Sequence, residues 1–196
     1  MPRLETERLL LRPPESGDAP AIARWLGDYE IAKNMATIPY PLTTRDAEHL
    51  VLQAMEDQAK GEAYVFAIIR KDSGRFMGLC SLVLSAGIYQ LEFCLGAPFQ
   101  NQGYATEAAK KVAAFAFHVL KAESIEAQYF DDDPAAAEVL GKLGFRVVES
   151  DLMTAPARLE RALVHRLGLN RTAFGRKRPV QAARRLPAEC CLSLGG

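Results

Sequence analysis

A chain of 196 residues with 49% hydrophobic and 24% charged side chains has the size and composition of one globular domain with a sizeable core. Its 24 Lys and Arg balance 24 Asp and Glu, so net charge gives no case for a nucleic-acid or membrane partner. No apolar run nears the ~20 residues that span a bilayer, no signal core opens the chain and no CxxC pair suggests zinc, so a metal-free cytoplasmic protein is the expectation.

The first run, LLLR at residues 9–12, is apolar and stopped by Pro13 and Pro14, which predicts a strand. Asp18 is placed to cap a helix that carries Ala21, Ile22, Trp25 and Leu26 at helical spacing. Two prolines within residues 34–42 predict a loop. Thr43 or Thr44 caps a second helix, with Ala47, Leu50, Val51, Ala54 and Met55 on one face and Gly61 at its end. The period then changes to two. Residues 63–70 and 75–85 flank the turn Asp72-Ser73-Gly74 as a hairpin, and residues 88–95 follow as a third strand. In that strand Tyr89, Leu91, Phe93 and Leu95 share one face, and Gln90, Glu92 and Cys94 share the other.

A polar loop at 96–103 leads into an amphipathic helix at 105–120. A strand at 124–130 follows, then a helix capped by Asp133, opened by Pro134 and ended by Gly144. Strands at 145–148 and 162–169 complete a mixed, mostly antiparallel α+β sheet flanked by about four helices. From Gly175 the chain turns basic and loses its period. This divides it into a domain at 1–174 and a solvated basic tail at 175–196, with room for a short helix at 180–186.

The stretch 95–108, LGAPFQNQGYATEA, carries the chemistry. A polar turn opens a long helix whose first amides have no internal partner and lie at the positive end of its dipole, which makes an anion site. Gly103 lets backbone approach a ligand closely. Neither GxGxxG nor GK[ST] is present, so the phosphate group expected here is not that of a dinucleotide or a P-loop nucleotide.

Gln100, Asn101, Gln102, Gly103, Tyr104 and Ala105 fit Q/R-x-x-G-x-G/A and continue as Thr106-Glu107-Ala108. In this the chain resembles the GNAT superfamily of N-acetyltransferases, whose coenzyme A pyrophosphate motif this is. Leu95-Gly96-Ala97-Pro98-Phe99, LETERLLLR at 4–12, PYPLT with Asp46-Ala47, and Asp133-Pro134-Ala135-Ala136-Ala137 with Lys142-Leu143-Gly144-Phe145 resemble its ribosomal-protein (RimJ/RimL) branch. The resemblance covers roughly residues 4–174. It implies a sheet with central strands that begin adjacent near 93–95 and 125–129 and then splay. The pantetheine arm of acetyl-CoA would lie in that gap along Phe93, Cys94 and Leu95, near Asp133 and Ala136. The pyrophosphate would sit on the amides of residues 101–105. The implied reaction is direct attack of an amine, from a peptide N-terminus or a small molecule, on the thioester, by a monomer or homodimer.

Three positions depart from the branch. It often has Glu where Gln90 stands and Gly where Glu92 stands, so the carboxylate here lies two residues later on the same strand face. Glu92 is therefore the candidate base, with Gln90, Met35 and Tyr40 as acceptor contacts. Asp133 replaces a common Asn and caps its helix. Ala136 replaces a common Ser near the thiolate, so either Tyr129, Tyr104 or water protonates sulfur or the thiolate leaves unassisted. His49, His118 and His165 are read as structural. Two other readings stay open at this point: a non-catalytic acyl-CoA-binding module of the same fold, and a phosphate- or nucleotide-binding protein of another class.

Overall fold

The computed structural model describes residues 2–175; the tail from 176 onward and its expected short helix lie outside the described residues. Eight strands form one sheet in the order β1-β2-β3-β4-β5-β6-β8-β7. They are β1 (Leu4–Glu5), β2 (Leu9–Arg12), β3 (Ala63–Arg70), β4 (Phe76–Ser85), β5 (Ile88–Leu95), β6 (Ser124–Phe130), β7 (Arg146–Met153) and β8 (Ala162–Asn170). Five helices flank them: α1 (Ala19–Leu26), α2 (Tyr29–Ala32), α3 (Thr44–Lys60), α4 (Tyr104–His118) and α5 (Pro134–Leu143).

Strand alternation sorts the two faces. Phe66, Leu82 and Leu91 pack with Ala108, Val112 and Phe115 of α4 in the main core. Each such wholly buried large side chain contributes roughly 1.5–3 kcal/mol. On the other face Leu79 and Cys94 pack with Ile22 and Leu26 of α1 and Val51 of α3. Thr43 opens α3 with a capping box, its hydroxyl taking the Asp46 N–H and the Asp46 side chain taking the Thr43 N–H. Gly61 and Gly144 end α3 and α5 in the left-handed conformation, with φ of 75° and 96°.

Among the described residues the central pair is the only parallel one, and it is short: β5 meets β6 at Tyr89↔Ile125 and Gln90↔Glu126 alone. The splay therefore begins after Gln90, several residues earlier than the expected contact at 93–95. β4 covers one edge of β5 along its whole length, and β8 covers the outer edge of β6. The inner edges from Leu91 and Ala127 onward face an open wedge.

Several boundaries differ from expectation. β1 and α2 have two and four residues, too few to show a period. β7 runs on to Met153, because nearly every residue in it is exposed and no alternation marks it. Asp18 does not cap α1 with a hydrogen bond. Its buried carboxylate accepts two bonds from Arg12, at 2.7 and 2.9 Å, and one from the Glu15 N–H at 2.8 Å. Proximity to a cation outcompetes the cap.

Candidate active site

Two cavities flank β5. The first, about 340 Å³, fills the wedge between β5, β6 and the starts of α4 and α5. The second, about 320 Å³, lies on the opposite sheet face under α1 and α3. They share Met35, Glu92, Phe93 and Cys94.

The α4 end of the first cavity is built from backbone. Asn101 and Gly103 both have positive φ, 59° and 79°, so the loop folds on itself before the helix starts. A side chain at Gly103 would be strained, which is why glycine stands there. Gly103 offers no side-chain cap, so the first-turn amides of α4 are left for a ligand at the positive end of a 15-residue helix. The loop is held from behind. Gln100 Nε2 donates to the Leu95 carbonyl at 3.0 Å, and Gln102 Nε2 to the Pro98 carbonyl at 2.9 Å. Gly96 lies under the Trp25 indole, where a Cβ would come within 2.7 Å of the ring. Trp25 in turn meets Phe99 edge-on at 5.6 Å.

Glu107 reaches back to the turn between β1 and β2. Its carboxylate accepts from Thr6 Oγ1 at 2.5 Å, Arg8 N at 3.0 Å and Arg8 Nε at 2.7 Å. Arg8 also donates to the Gln102 carbonyl at 3.1 Å and covers the Tyr104 ring at 4.3 Å. The TER of residues 6–8 and the TEA of residues 106–108 are thus two halves of one clamp behind the anion loop. In the sequence the two triplets lie about 100 residues apart, and nothing local to Thr6 or Arg8 marks either as a site residue.

Most of the expected cofactor residues line the first cavity: Phe93, Cys94, Leu95, Gln100, Asn101, Gly103, Tyr104, Ala105, Thr106, Asp133 and Ala136. Gln102 does not. Asp133 caps α5, accepting from the Ala136 N–H at 3.0 Å, while still facing the cavity. Met35 lines both cavities. Gln90 and Tyr40 line neither; Tyr40 is exposed and packs edge-on against Tyr29 at 5.7 Å. His165 lies away from both, between Ser150 Oγ at 2.8 Å and Asp131 Oδ1 at 2.9 Å.

Glu92 lines both cavities. Burial raises its carboxyl above the ordinary value, and no cation or hydrogen-bond donor among the described residues offsets that. Directly opposite on β4 is Ser81, buried in the floor of the second cavity. Cys94 also lines both, but burial pushes its thiol up to about 12. It stays protonated at neutral pH and is no nucleophile. Burial likewise raises the Tyr129 phenol, which lines the first cavity near Ala136, so it keeps its proton.

Arg158, from the loop between β7 and β8, was not legible as a site residue. It donates to the Lys33 carbonyl at 2.7 Å, to Asn34 Oδ1 at 2.9 Å, and twice to Asp132 at 2.7 and 3.1 Å. Its guanidinium covers Phe130 at 4.1 Å. It ties the loop after α2, which carries Met35, to the turn before α5.

A profile of the acetyltransferase (GNAT) domain matches residues 8–146. The uncharacterized N-acetyltransferase p20 of Bacillus licheniformis is 28% identical over 149 residues, 74% of this chain and 83% of that protein. A GNAT-family acetyltransferase from Bacillus anthracis superposes with a TM-score of 0.76 at 21% identity, over 86% of this chain and 98% of that one. RimJ of Mycobacterium smegmatis, solved with a CoA disulfide, superposes with a TM-score of 0.75 at 17% identity, over 86% of this chain and 84% of that one. This chain belongs to the GNAT acetyltransferase family. Its class is that of acetyl-CoA-dependent N-acetyltransferases. Among the described residues no helix is long and apolar enough to cross a membrane, and no cluster of His, Cys, Asp and Glu could hold a metal ion.

Proposed function

We propose that the first cavity takes acetyl-CoA, the second presents a primary amine, and Glu92 serves as the base where they meet. The observation that carries this is the unpartnered Glu92 carboxyl on the wall common to both cavities. The pyrophosphate sits on the first-turn amides of α4, and the pantetheine arm lies along the open edge of β5. The amine nitrogen attacks the thioester carbon directly; Glu92 takes its proton, and the carbon–sulfur bond breaks as the thiolate leaves. The protonated Cys94 argues against an acyl-cysteine route. Ala136 has no hydroxyl, so Tyr129 returns a proton to sulfur. Residues 1–174 form the catalytic domain and 175–196 a dispensable tail, in a cytoplasmic monomer or homodimer.

The test mixes the full chain with acetyl-CoA and primary amines, reads free thiol with a chromogenic reagent, and identifies the acetylated amine by mass spectrometry. Thiol release that requires the amine is the expected result. Tight acetyl-CoA binding without amine-dependent release would contradict the proposal.

A further inference from the structure

Resting on that catalytic reading, we infer that the acceptor is a primary amine with a compact, uncharged, apolar body, and that the second cavity is shaped to hold the body while Glu92 holds the amino group.

The walls come from three layers. Ile22 and Leu26 of α1 and Val51 and Ala54 of α3 form one side; Val65 and Val83 of the sheet form the other. No Lys, Arg or His lines the cavity, and its only charged side chains are Glu92 and Asp57. Asp57 already accepts a hydrogen bond from Gln53 Nε2 at 2.6 Å. Glu92 has no hydrogen-bond partner among the described residues to compete with an incoming ammonium, and it lines the first cavity as well.

This arrangement discriminates by what it cannot pair. An amino acid would bring its α-carboxylate beside Glu92 with no cation to meet it, and an unpaired anion in apolar walls is strongly disfavoured. A peptide N-terminus would bury several backbone N–H and C=O groups, for which the walls offer only the side chains of Thr37, Gln53 and Ser81 besides the two carboxyls. An apolar body loses nothing and gains burial. As for size, an apolar cavity of ~150 Å³ holds one benzene, so about 320 Å³ accepts roughly a dozen heavy atoms.

The experiment compares kcat/KM for phenethylamine, hexylamine, propylamine, phenylalanine, spermidine and a short seryl peptide, using the full chain and saturating acetyl-CoA. Phenethylamine and phenylalanine differ only by the carboxylate, and phenethylamine should be preferred by about 100-fold or more. Hexylamine should exceed propylamine by at least about 10-fold, since each methylene in a fitted apolar pocket is worth up to ~10–200-fold. Ala54→Phe, which fills the cavity from α3, should lower kcat/KM for phenethylamine by about 10–200-fold while acetyl-CoA affinity, read by calorimetry, stays unchanged and shows that the variant is folded. Preference for spermidine, phenylalanine or the peptide would overturn the inference and leave acetyl transfer standing. Phenethylamine that binds by calorimetry and is weakened by Ala54→Phe, yet is not turned over, would support the inference and strike the catalytic reading. No turnover of any amine in the panel, together with no binding of the apolar ones, would overturn both.

Discussion

At the scale of single residues, the same burial that suits Glu92 to catalysis works against the folded state. Below its ordinary value of 4.5 the carboxyl is neutral in both folded and unfolded chains. Above it the unfolded chain ionises first, so stability declines as pH rises through the raised folded value. Glu92→Gln removes that penalty. Its melting temperature should exceed that of the wild type at pH 8, and the two should converge near pH 4 on thermal unfolding; a variant less stable at both pH values would mean that Glu92 makes a structural bond. Strand alternation alone was enough to put Glu92, with Cys94, on the face opposite Phe93 and Leu95. The acceptor contacts were less legible. Met35 reached both cavities, but Tyr40 turned outward against Tyr29, because position in a loop says nothing about direction.

At the scale of elements, the start of α4 is the proposed anion site, and the clamp of Thr6, Arg8 and Glu107 holds it from behind. Gly103→Glu should abolish acetyl-CoA binding in calorimetry: the left-handed φ would strain the backbone, and the carboxylate would occupy the place of the pyrophosphate. Unchanged affinity would remove this helix end from the site. Arg158 offers a second test. Arg158→Ala severs the ties to Lys33, Asn34 and Asp132, so the loop bearing Met35 loses its anchor. Stability should fall by about 1.5–3 kcal/mol, the range for hydrogen bonds to charged groups. The amine KM should rise while acetyl-CoA affinity holds; equal losses in both would assign Arg158 a purely structural role. Caps and turns such as Thr43, Gly61 and Gly144 were readable because they are local chemistry. The Arg158 latch was not, since its partners lie more than 120 residues away in sequence at one end and 26 at the other.

At the scale of the whole molecule, the order of helices and strands was legible because each long element carries its own period. The sheet order was implied only by resemblance: nothing local in β5 and β6 says that they pair over two positions and then part. Phe174, the last residue of the proposed domain, packs on Phe117 with ring centroids 5.1 Å apart. A chain ending at Phe174 should therefore keep its solubility and turnover, measured by thiol release; loss of both would place the remaining residues in the catalytic unit.

The central claim is that two substrates meet at Glu92. Its most direct test is the pH profile of turnover for Glu92→Gln against the wild type, with acetyl-CoA binding measured alongside. At neutral pH an acceptor amine is largely protonated, and a positioned base is worth ~10²–10⁴-fold. The account predicts a loss of kcat of that size at pH 7, undiminished acetyl-CoA affinity, and a deficit that shrinks as pH rises and free amine accumulates. Wild-type turnover at pH 7, or a loss that follows acetyl-CoA binding instead, would contradict it.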